Sequence, residues 1–328
     1  MKSKFFLISL VIFSLLLTAC SAGQSSPAEL TPVKLPLGYV PNVQFAPLYV
    51  AIDKGYFKEE GIDVSLDYNM ETDSVALLGA GQLQFAIVSG EQILLGRSKG
   101  LPVVYAAAWY NNFPVGVIVD PEKNVVLPAD LKELNIGLPG TYGANYIGLR
   151  ALLSAGGLEE SDVILNSIGY TQAESFLTKR VEAAAIYVAN EPVILENQGV
   201  DFTLLRVSDY TSLVANGLAT NEKTLKENPD LVRGMINALL RGIADAAKNP
   251  DEAFTISKKY VENLGKADEA VQMAVLKKST EFWTTDKPGS TSPEAWQNMQ
   301  NLLLDMGMLE SPIDLTGAYT NDFLPTGE

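Results

Sequence analysis

The chain has 328 residues, a hydrophobic content of 47% and a formal net charge of −15 at pH 7. A chain this negative repels nucleic acid, and so apolar a composition fits a folded globular protein. It contains no histidine, so the commonest general base, the usual catalytic triads and most zinc sites lack their central residue. HExxH, GxSxG, P-loop and GxGxxG arrangements are absent too. We therefore expect no catalytic residue, no metal site, no cofactor and no enzyme, while carboxylate or lysine chemistry stays open on composition alone.

The amino-terminal residues carry an export signal. An apolar run at 5–17 follows two lysines and ends in Leu-Thr-Ala-Cys at 17–20. This pattern predicts a signal peptide at 1–19, because the run is shorter than the roughly 20 residues that a membrane-spanning helix needs. Leu-Thr-Ala-Cys resembles the lipobox of bacterial lipoproteins, which implies lipidation at Cys20; in an ordinary signal peptide this cysteine would be incidental. Cys20 is the single cysteine, which excludes a disulfide within the monomer and a thiol nucleophile in the mature domain.

Residues 20–31 are mostly small and polar and predict a flexible, lipid-anchored linker. We expect this linker to hold the folded body at the extracytoplasmic face of the cell membrane, with the N-terminal lipid as the contact with the bilayer. The body itself, at roughly 300 residues, exceeds the usual size of one core and favours two domains.

Strand and helix signals alternate through the body until helical patterns dominate its last third. The predicted strands lie at 33–39, 62–68, 85–88, 103–108, 115–119, 135–138, 163–165, 183–186 and 213–220. The predicted helices lie at 48–54, 72–80, 144–155, 171–178, 229–248, 250–262, 268–282 and 293–304, with a short one starting at 130.

This alternation predicts the α/β class, with a largely parallel sheet in the first half. The simplest assembly is two α/β lobes joined by crossing segments near 119 and 213, with a ligand cleft between them. Lobe I then comprises 32–119 plus 214–328, and lobe II comprises 120–213.

Five segments of the body carry a family resemblance: GYVPNVQFAPLYVA at 38–51, KGYF at 54–57, EGIDV at 60–64, GQLQFA at 81–86 and LKELNIG at 131–137. Together they resemble the substrate-binding proteins of ABC importers in the thiamine-pyrimidine-precursor and alkanesulfonate group. The resemblance implies a type II periplasmic-binding-protein fold with a two-segment hinge, whose closed, liganded form docks on a permease that works with an ATPase.

Ligands of α/β sheets sit beyond the carboxyl ends of the strands, so the loops after the strands are the candidate site. These loops are rich in aromatic and amide side chains and nearly devoid of Lys and Arg. Tyr187 and Glu191 lie four residues apart, as on one face of a helical turn, and the pyrimidine binders of the family use a Tyr and a Glu in this region. The expected ligand-binding residues are Tyr39, Asn42, Gln44, Phe45, Ser89, Trp109, Tyr110, Asn111, Thr141, Tyr142, Tyr187, Asn190 and Glu191.

Such loops suit a flat, neutral heteroaromatic ligand, because ring stacking contributes roughly 0.5 to 1.5 kcal/mol beyond burial. A sulfonate or nitrate would need Arg, Lys or a cluster of helix N-terminal amides. The pyrimidine-precursor binders carry a His soon after the Asn of the first loop, and Asn42 has no His after it. The AAWY segment at 107–110 and the PNVQFAP loop at 41–47 resemble the riboflavin-binding branch of the family, which makes riboflavin the expected ligand.

Four alternatives stay open: a formylaminopyrimidine, an alkanesulfonate, a pyrimidine-synthase-like enzyme and a sensor domain. The synthase branch depends on a His and a Cys-rich motif, and neither occurs in the mature chain. Several aromatic residues also have a plain structural explanation, since Trp109 at the end of an apolar strand could simply plug the sheet.

Overall fold

The computed structural model describes residues 29–262, 264–266 and 268–326. The expected signal peptide at 1–19, the lipidation site Cys20 and most of the linker at 20–31 lie outside these residues. The linker ends slightly earlier than expected, because Thr31 already belongs to the first strand. Across the described ranges, no helix has the length and apolar content needed to cross a membrane.

Ten strands form three sheets in the described part of the chain. In the first lobe, β1 and β2 pair in parallel, and β10 lies between β3 and β4, antiparallel to both. In the second lobe, five strands are arranged in the order β7-β6-β8-β5-β9. The strands are β1 (Thr31–Pro36), β2 (Ile62–Asp67), β3 (Ala86–Val88), β4 (Val103–Ala108), β5 (Val115–Val119), β6 (Asn135–Leu138), β7 (Ile164–Ser167), β8 (Ala183–Tyr187), β9 (Thr203–Arg206) and β10 (Gly217–Asn221).

Twelve α-helices of the described residues cover the sheets. They are α1 (Ala46–Asp53), α2 (Tyr56–Glu59), α3 (Glu71–Gly79), α4 (Gly90–Ser98), α5 (Gly143–Ala155), α6 (Gln172–Leu177), α7 (Glu191–Asn197), α8 (Glu222–Glu227), α9 (Pro229–Lys248), α10 (Pro250–Ser257), α11 (Glu269–Trp283) and α12 (Pro293–Asp305).

The longest helix, α9, shows why the sequence folds as it does. Pro229 stands in its first turn, where a missing N–H costs no hydrogen bond, and Asp230 complements the positive end of the helix dipole. Val232, Ile236 and Leu239 recur at helical spacing and are buried. This face packs on α1 and joins the carboxyl-terminal part of the chain to the first lobe.

The expected first boundary between the lobes, at 119, is wrong. The strand β5 pairs antiparallel with β8 along its whole length and with β9 along most of it, so it lies in the sheet of the second lobe. The apolar run at 115–119 identifies a buried strand, but it carries no information about which sheet takes it. We propose that the chain first crosses between the lobes at 109–114. We propose that it crosses back between β9 and β10, at 207–216.

Other differences are local. The expected strand at 213–220 begins only at Gly217, because the preceding residues form the crossing segment. The expected helix at 250–262 ends at Ser257, and the helical signal near 130 is a 3₁₀ turn. Strand β9 and helices α2, α4, α7 and α8 were not predicted, and all but the nine-residue α4 are very short. The sheets are mixed rather than largely parallel, because β5 and β10 run against their neighbours.

The KGYF segment at 54–57 has a structural role. Gly55 adopts φ +79°, a left-handed conformation that glycine tolerates best. Lys54 Nζ lies 2.7 Å from Asp245 Oδ2 on α9, and Tyr56 Oη donates to the same oxygen at 2.6 Å. Burial opposes the charge on Asp245, but these two hydrogen bonds and one from Asn249 outweigh it and lower its pKa to about 2.

Replacing Asp245 by Asn is expected to lower the free energy of unfolding by about 1–2 kcal/mol at neutral pH. The folded-state pKa of Asp245 is depressed, so its stabilisation is complete above the unfolded value of about 3.9 and is lost as the pH falls through about 2. Urea denaturation of both proteins from pH 7 to about pH 2 measures this difference. As a control, Glu281→Gln removes one partner of an exposed pair with Lys278 and should change stability by less than about 0.5 kcal/mol. An equal effect of both substitutions would contradict the assignment.

Candidate ligand-binding site

A cavity of about 310 Å³ lies between the lobes. Its walls come from the ends of the strands β1, β2, β3, β4, β6, β7 and β8 and the segments that follow them, and from the second crossing segment. This is where the strand-end rule places a ligand, and the volume is at the lower end of the usual range for small-molecule pockets, roughly 300–1,000 Å³.

Nine of the thirteen expected ligand-binding residues line this cavity. They come from both lobes and from the first crossing segment, so the structure brings together side chains as far apart in the sequence as 39 and 191. The nine are Tyr39, Gln44, Phe45, Trp109, Tyr110, Tyr142, Tyr187, Asn190 and Glu191.

The other four expected residues do not line the cavity. The Asn42 side chain accepts a hydrogen bond from the backbone N–H of Gln44 at 2.9 Å and caps a 3₁₀ turn. Asn111 donates to the carbonyl of Phe282 at 3.3 Å, and Thr141 is exposed. Ser89 is buried behind the wall, between two carboxyl groups. The local backbone bond of Asn42 is a common use of an Asn side chain, and it competes with ligand contact.

Aromatic rings dominate the walls. Phe45 meets Trp109 edge-on with ring centroids 5.9 Å apart, and Trp109 lies parallel to Tyr110 at 6.4 Å. Tyr39 of the first lobe contacts Tyr170 of the second edge-on at 4.9 Å. Both rings line the cavity, so this last contact joins the two lobes at the cavity wall.

The Tyr142 ring covers one side of the cavity and remains 48% exposed. Its position depends on Gly140, because a Cβ atom at residue 140 would collide with the ring. Tyr142 thus contributes to the cavity without contributing much to the core.

Glu191 is the first residue of α7 and one of two carboxyl groups on the cavity wall. Its Oε2 accepts from the backbone N–H of Tyr187 at 3.0 Å, and its Oε1 accepts from Asn190 at 3.0 Å. Burial raises its pKa to about 6, although these hydrogen bonds favour the charged form. The expected placement of Tyr187 and Glu191 on one helical turn is wrong, because Tyr187 ends β8 and Glu191 begins α7. The link between the two residues runs through the backbone N–H of Tyr187.

Glu71 is the other carboxyl group on the wall, and the sequence analysis missed it. It begins α3, just after β2, so the same strand-end rule applied to the loop after β2 would have found it. The Glu71 side chain fits at this position because residue 38 is a glycine. Gly38 has φ +72°, and a Cβ atom there would collide with the Glu71 side chain. Asn216 was also missed, because it lies before β10 rather than after a strand.

The charges around the cavity are one-sided. Its lining residues include the carboxyl groups of Glu71 and Glu191 and no Lys or Arg. The asparagine and glutamine amides on the wall supply hydrogen-bond donors without positive charge. In the described ranges, no group of three or more His, Cys, Asp or Glu side chains is placed to hold a metal ion. The cavity therefore presents aromatic faces and hydrogen-bond acceptors.

Comparison with known proteins adds the family. A model of the NMT1/THI5 like family matches residues 42–253. The riboflavin-binding protein RibY of Chloroflexus aurantiacus is 37% identical, over 97% of this chain and 97% of its own. The formylaminopyrimidine-binding protein of Halalkalibacterium halodurans is 29% identical, over 98% of this chain and 99% of its own.

Among solved structures, the periplasmic aliphatic sulphonate binding protein SsuA of Escherichia coli has a TM-score of 0.71 at 12% identity, covering 92% of this chain and 96% of its own. This similarity confirms the periplasmic-binding-protein fold of two α/β lobes. The family model spans more than half of the sequence and the RibY similarity spans nearly all of it, and the chain therefore belongs to the NMT1/THI5 like family.

Proposed function

We propose that this chain is the substrate-binding lipoprotein of an ABC importer, held at the extracytoplasmic face of the cell membrane, and that it captures riboflavin for a membrane permease. The observation that carries the proposal is the cavity wall, which combines aromatic rings with carboxyl groups and has no Lys or Arg. Similarity to RibY along nearly the whole chain supports the same ligand.

An anionic ligand fits this wall poorly. A sulfonate carries a full negative charge and would lie beside Glu71 and Glu191 with no basic side chain to offset either. Riboflavin is uncharged at neutral pH, and its flat tricyclic ring offers large faces for stacking on aromatic side chains. Its imide N–H and its chain hydroxyls are donors that suit carboxylate and amide oxygens.

A pyrimidine precursor is the second candidate, because the formylaminopyrimidine-binding relative also matches nearly the whole chain. Its single small ring would leave some of the aromatic wall without a partner, which favours the larger ligand. Binding rather than catalysis is supported by the absence of histidine and by a cavity whose acidic groups are held by neighbouring residues.

The mature protein is expected to quench riboflavin fluorescence on titration and to be stabilised by the vitamin. A hundredfold excess over the dissociation constant adds about 2.7 kcal/mol to the unfolding free energy, which is a rise of several degrees in Tm. Methanesulfonate and a formylaminopyrimidine serve as comparison ligands. Stabilisation by either one, without stabilisation by riboflavin, would refute the assignment of the ligand but not of the family.

Replacing Tyr142 by Ala is expected to weaken riboflavin binding about tenfold, since it removes one stacking wall. Because the ring is half exposed, the Tm without ligand should change little. Tyr210→Ala is the matched control, since Tyr210 is similarly exposed, at 40%, and does not line the cavity. Equal affinities of the two variants would remove Tyr142 from the site.

Lipid attachment is tested separately in a bacterial host grown with labelled palmitate. The intact chain should incorporate label and sediment with membranes, and Cys20→Ser should do neither, because no other cysteine is present. Ser25→Ala, a change in the same linker, should behave like the parent. Label retained in Cys20→Ser would show that Cys20 is not the attachment site.

A further inference from the structure

Two carboxyl groups meet at one hydroxyl beside the cavity. Ser89 Oγ lies 2.5 Å from Glu71 Oε2 and 2.5 Å from Glu91 Oε1. The backbone N–H of Ser89 donates to Glu71 Oε2 at 3.0 Å. Glu91 is fully buried, and its Oε2 has no hydrogen-bond partner in the described structure. Glu71 is partly accessible and faces the cavity.

This geometry requires one extra proton. A serine hydroxyl has a single hydrogen and can donate to only one of the two carboxyl oxygens. The other short contact needs a hydrogen from its own carboxyl group, and 2.5 Å is typical of a charge-assisted O–H···O bond. Apart from the hydroxyl, Glu71 accepts from Ser89 N–H at 3.0 Å and from Asn216 Nδ2 at 3.2 Å, whereas Glu91 Oε1 accepts a longer bond from Gln92 Nε2 at 3.4 Å. The proton therefore resides on Glu91, which donates to Ser89, and the negative charge resides on Glu71.

The surroundings preserve this state. The other titratable groups that face the pair are Tyr170 and Tyr187, and burial raises the pKa of each above its usual value, so both stay neutral. Burial raises the pKa of Glu71 and of Glu91, so the pair resists taking a second negative charge. No lysine or arginine lines this part of the cavity to neutralise a second charge.

Building on the proposed function, we propose that Glu71, Ser89 and Glu91 form a one-proton pair that reads a hydrogen-bond donor of the ligand. Glu71 is then a specificity-determining residue, and the ligand is an uncharged molecule that presents an N–H or O–H group to its carboxylate. Such a carboxylate also rejects anions by direct repulsion.

The pair is connected to both lobes. Asn216 lies in the second crossing segment, and while its Nδ2 donates to Glu71, its Oδ1 accepts from Tyr187 Oη at 3.1 Å. Tyr187 belongs to the second lobe. A ligand that donates to Glu71 therefore extends a chain of hydrogen bonds that already connects the two lobes.

Proton linkage follows from the same arrangement. A ligand donor stabilises the ionised form of Glu71 and lowers its pKa in the complex. Where the pair still holds two protons, binding therefore releases one of them, and affinity rises with pH until the pair holds a single proton.

The first experiment titrates riboflavin into the parent and Glu71→Gln by calorimetry, between pH 6 and 8, in buffers of different ionisation enthalpy. The parent is expected to release protons and to bind more tightly at the higher pH. Glu71→Gln should bind roughly tenfold more weakly or worse and lose both effects. Glu196→Gln, which removes an exposed carboxyl group, is the charge-matched control and should behave as the parent. Unchanged affinity and pH dependence in Glu71→Gln would overturn the proposal.

A second experiment changes the ligand, so that the parent protein is tested without any effect of mutation on its folding. Two analogues, riboflavin methylated at the imide nitrogen and lumiflavin without the hydroxylated chain, each delete one class of donor. One of the analogues should bind the parent roughly tenfold or more weakly than riboflavin does. The same analogue should bind Glu71→Gln about as well as riboflavin binds that variant. Equal losses for both proteins with both analogues would show that Glu71 reads neither donor.

Infrared spectroscopy of the ligand-free protein tests the one-proton pair without riboflavin. The ligand-free parent at pH 7 should show the carbonyl band of a protonated carboxyl group, and the band should be diminished or displaced in Glu71→Gln and in Glu91→Gln. If riboflavin fails to bind but these changes appear, the proposed ligand fails and the one-proton pair stands. An identical band in the parent and both variants would overturn the pair whatever the ligand is.

Discussion

The carbonyl group of Asn216 holds the two crossing segments together. It accepts the backbone N–H groups of Trp109 at 3.1 Å and Tyr110 at 3.2 Å. These bonds fix the first crossing segment against the second, and they fix the rings of Trp109 and Tyr110 at the cavity wall. Because the side chain of Asn216 bonds to Glu71 on one side and Tyr187 on the other, one residue relates the backbone of the hinge to both halves of the site.

Helix starts explain how a cavity can accommodate buried carboxyl groups without a basic partner. Glu71, Glu91 and Glu191 all lie in the first turn of a helix, α3, α4 and α7 respectively. Unpaired backbone N–H groups and the helix dipole favour negative charge there, by roughly 0.3–1 kcal/mol each. The same positions could serve a bound anion in another protein of this fold. Here the chain places its own carboxyl groups at them, so a shared architecture does not require a shared ligand charge.

The sequence predicts the elements well where hydrophobic periodicity is long or strong. The strands at 103–108, 115–119 and 135–138 and the helix at 229–248 have the predicted bounds. The order of strands in a sheet is harder to predict from the sequence, because an apolar run such as 115–119 is equally suited to either sheet. The short elements β9, α7 and α8 carry too few residues for a periodic signal.

The candidate site is predicted in part, and the reason is geometric. Strand-end loops are correctly identified as cavity walls, and the aromatic residues among them line the cavity. Whether a polar side chain points into the cavity depends on its competing backbone bonds. Asn42 bonds locally to Gln44, and Asn111 bonds to the carbonyl of the distant Phe282, so neither lines the cavity. Glu71 was not predicted because carboxylates are common at helix starts, and because its partner Glu91 lies twenty residues away in the sequence. Signal cleavage, lipid attachment and the transport partners are features that the described structure does not test, and they stay predictions.

The order of the strands along the chain means that the two lobes can be completed at different times during synthesis. The five-stranded sheet uses one continuous stretch, from β5 to β9. The three-stranded sheet needs β10 at its centre, and its edge strand β4 is flanked by the carboxyl-terminal segment, where Tyr105 N–H donates to the carbonyl of Ala318 at 2.9 Å. A chain that emerges from its amino end can therefore complete the second lobe while the first still lacks its middle strand and its last helices. Until β10 and Thr320, whose N–H donates to the carbonyl of Tyr105 at 3.0 Å, are in place, the apolar strands β3 and β4 are incompletely paired, and exposed apolar strands favour aggregation.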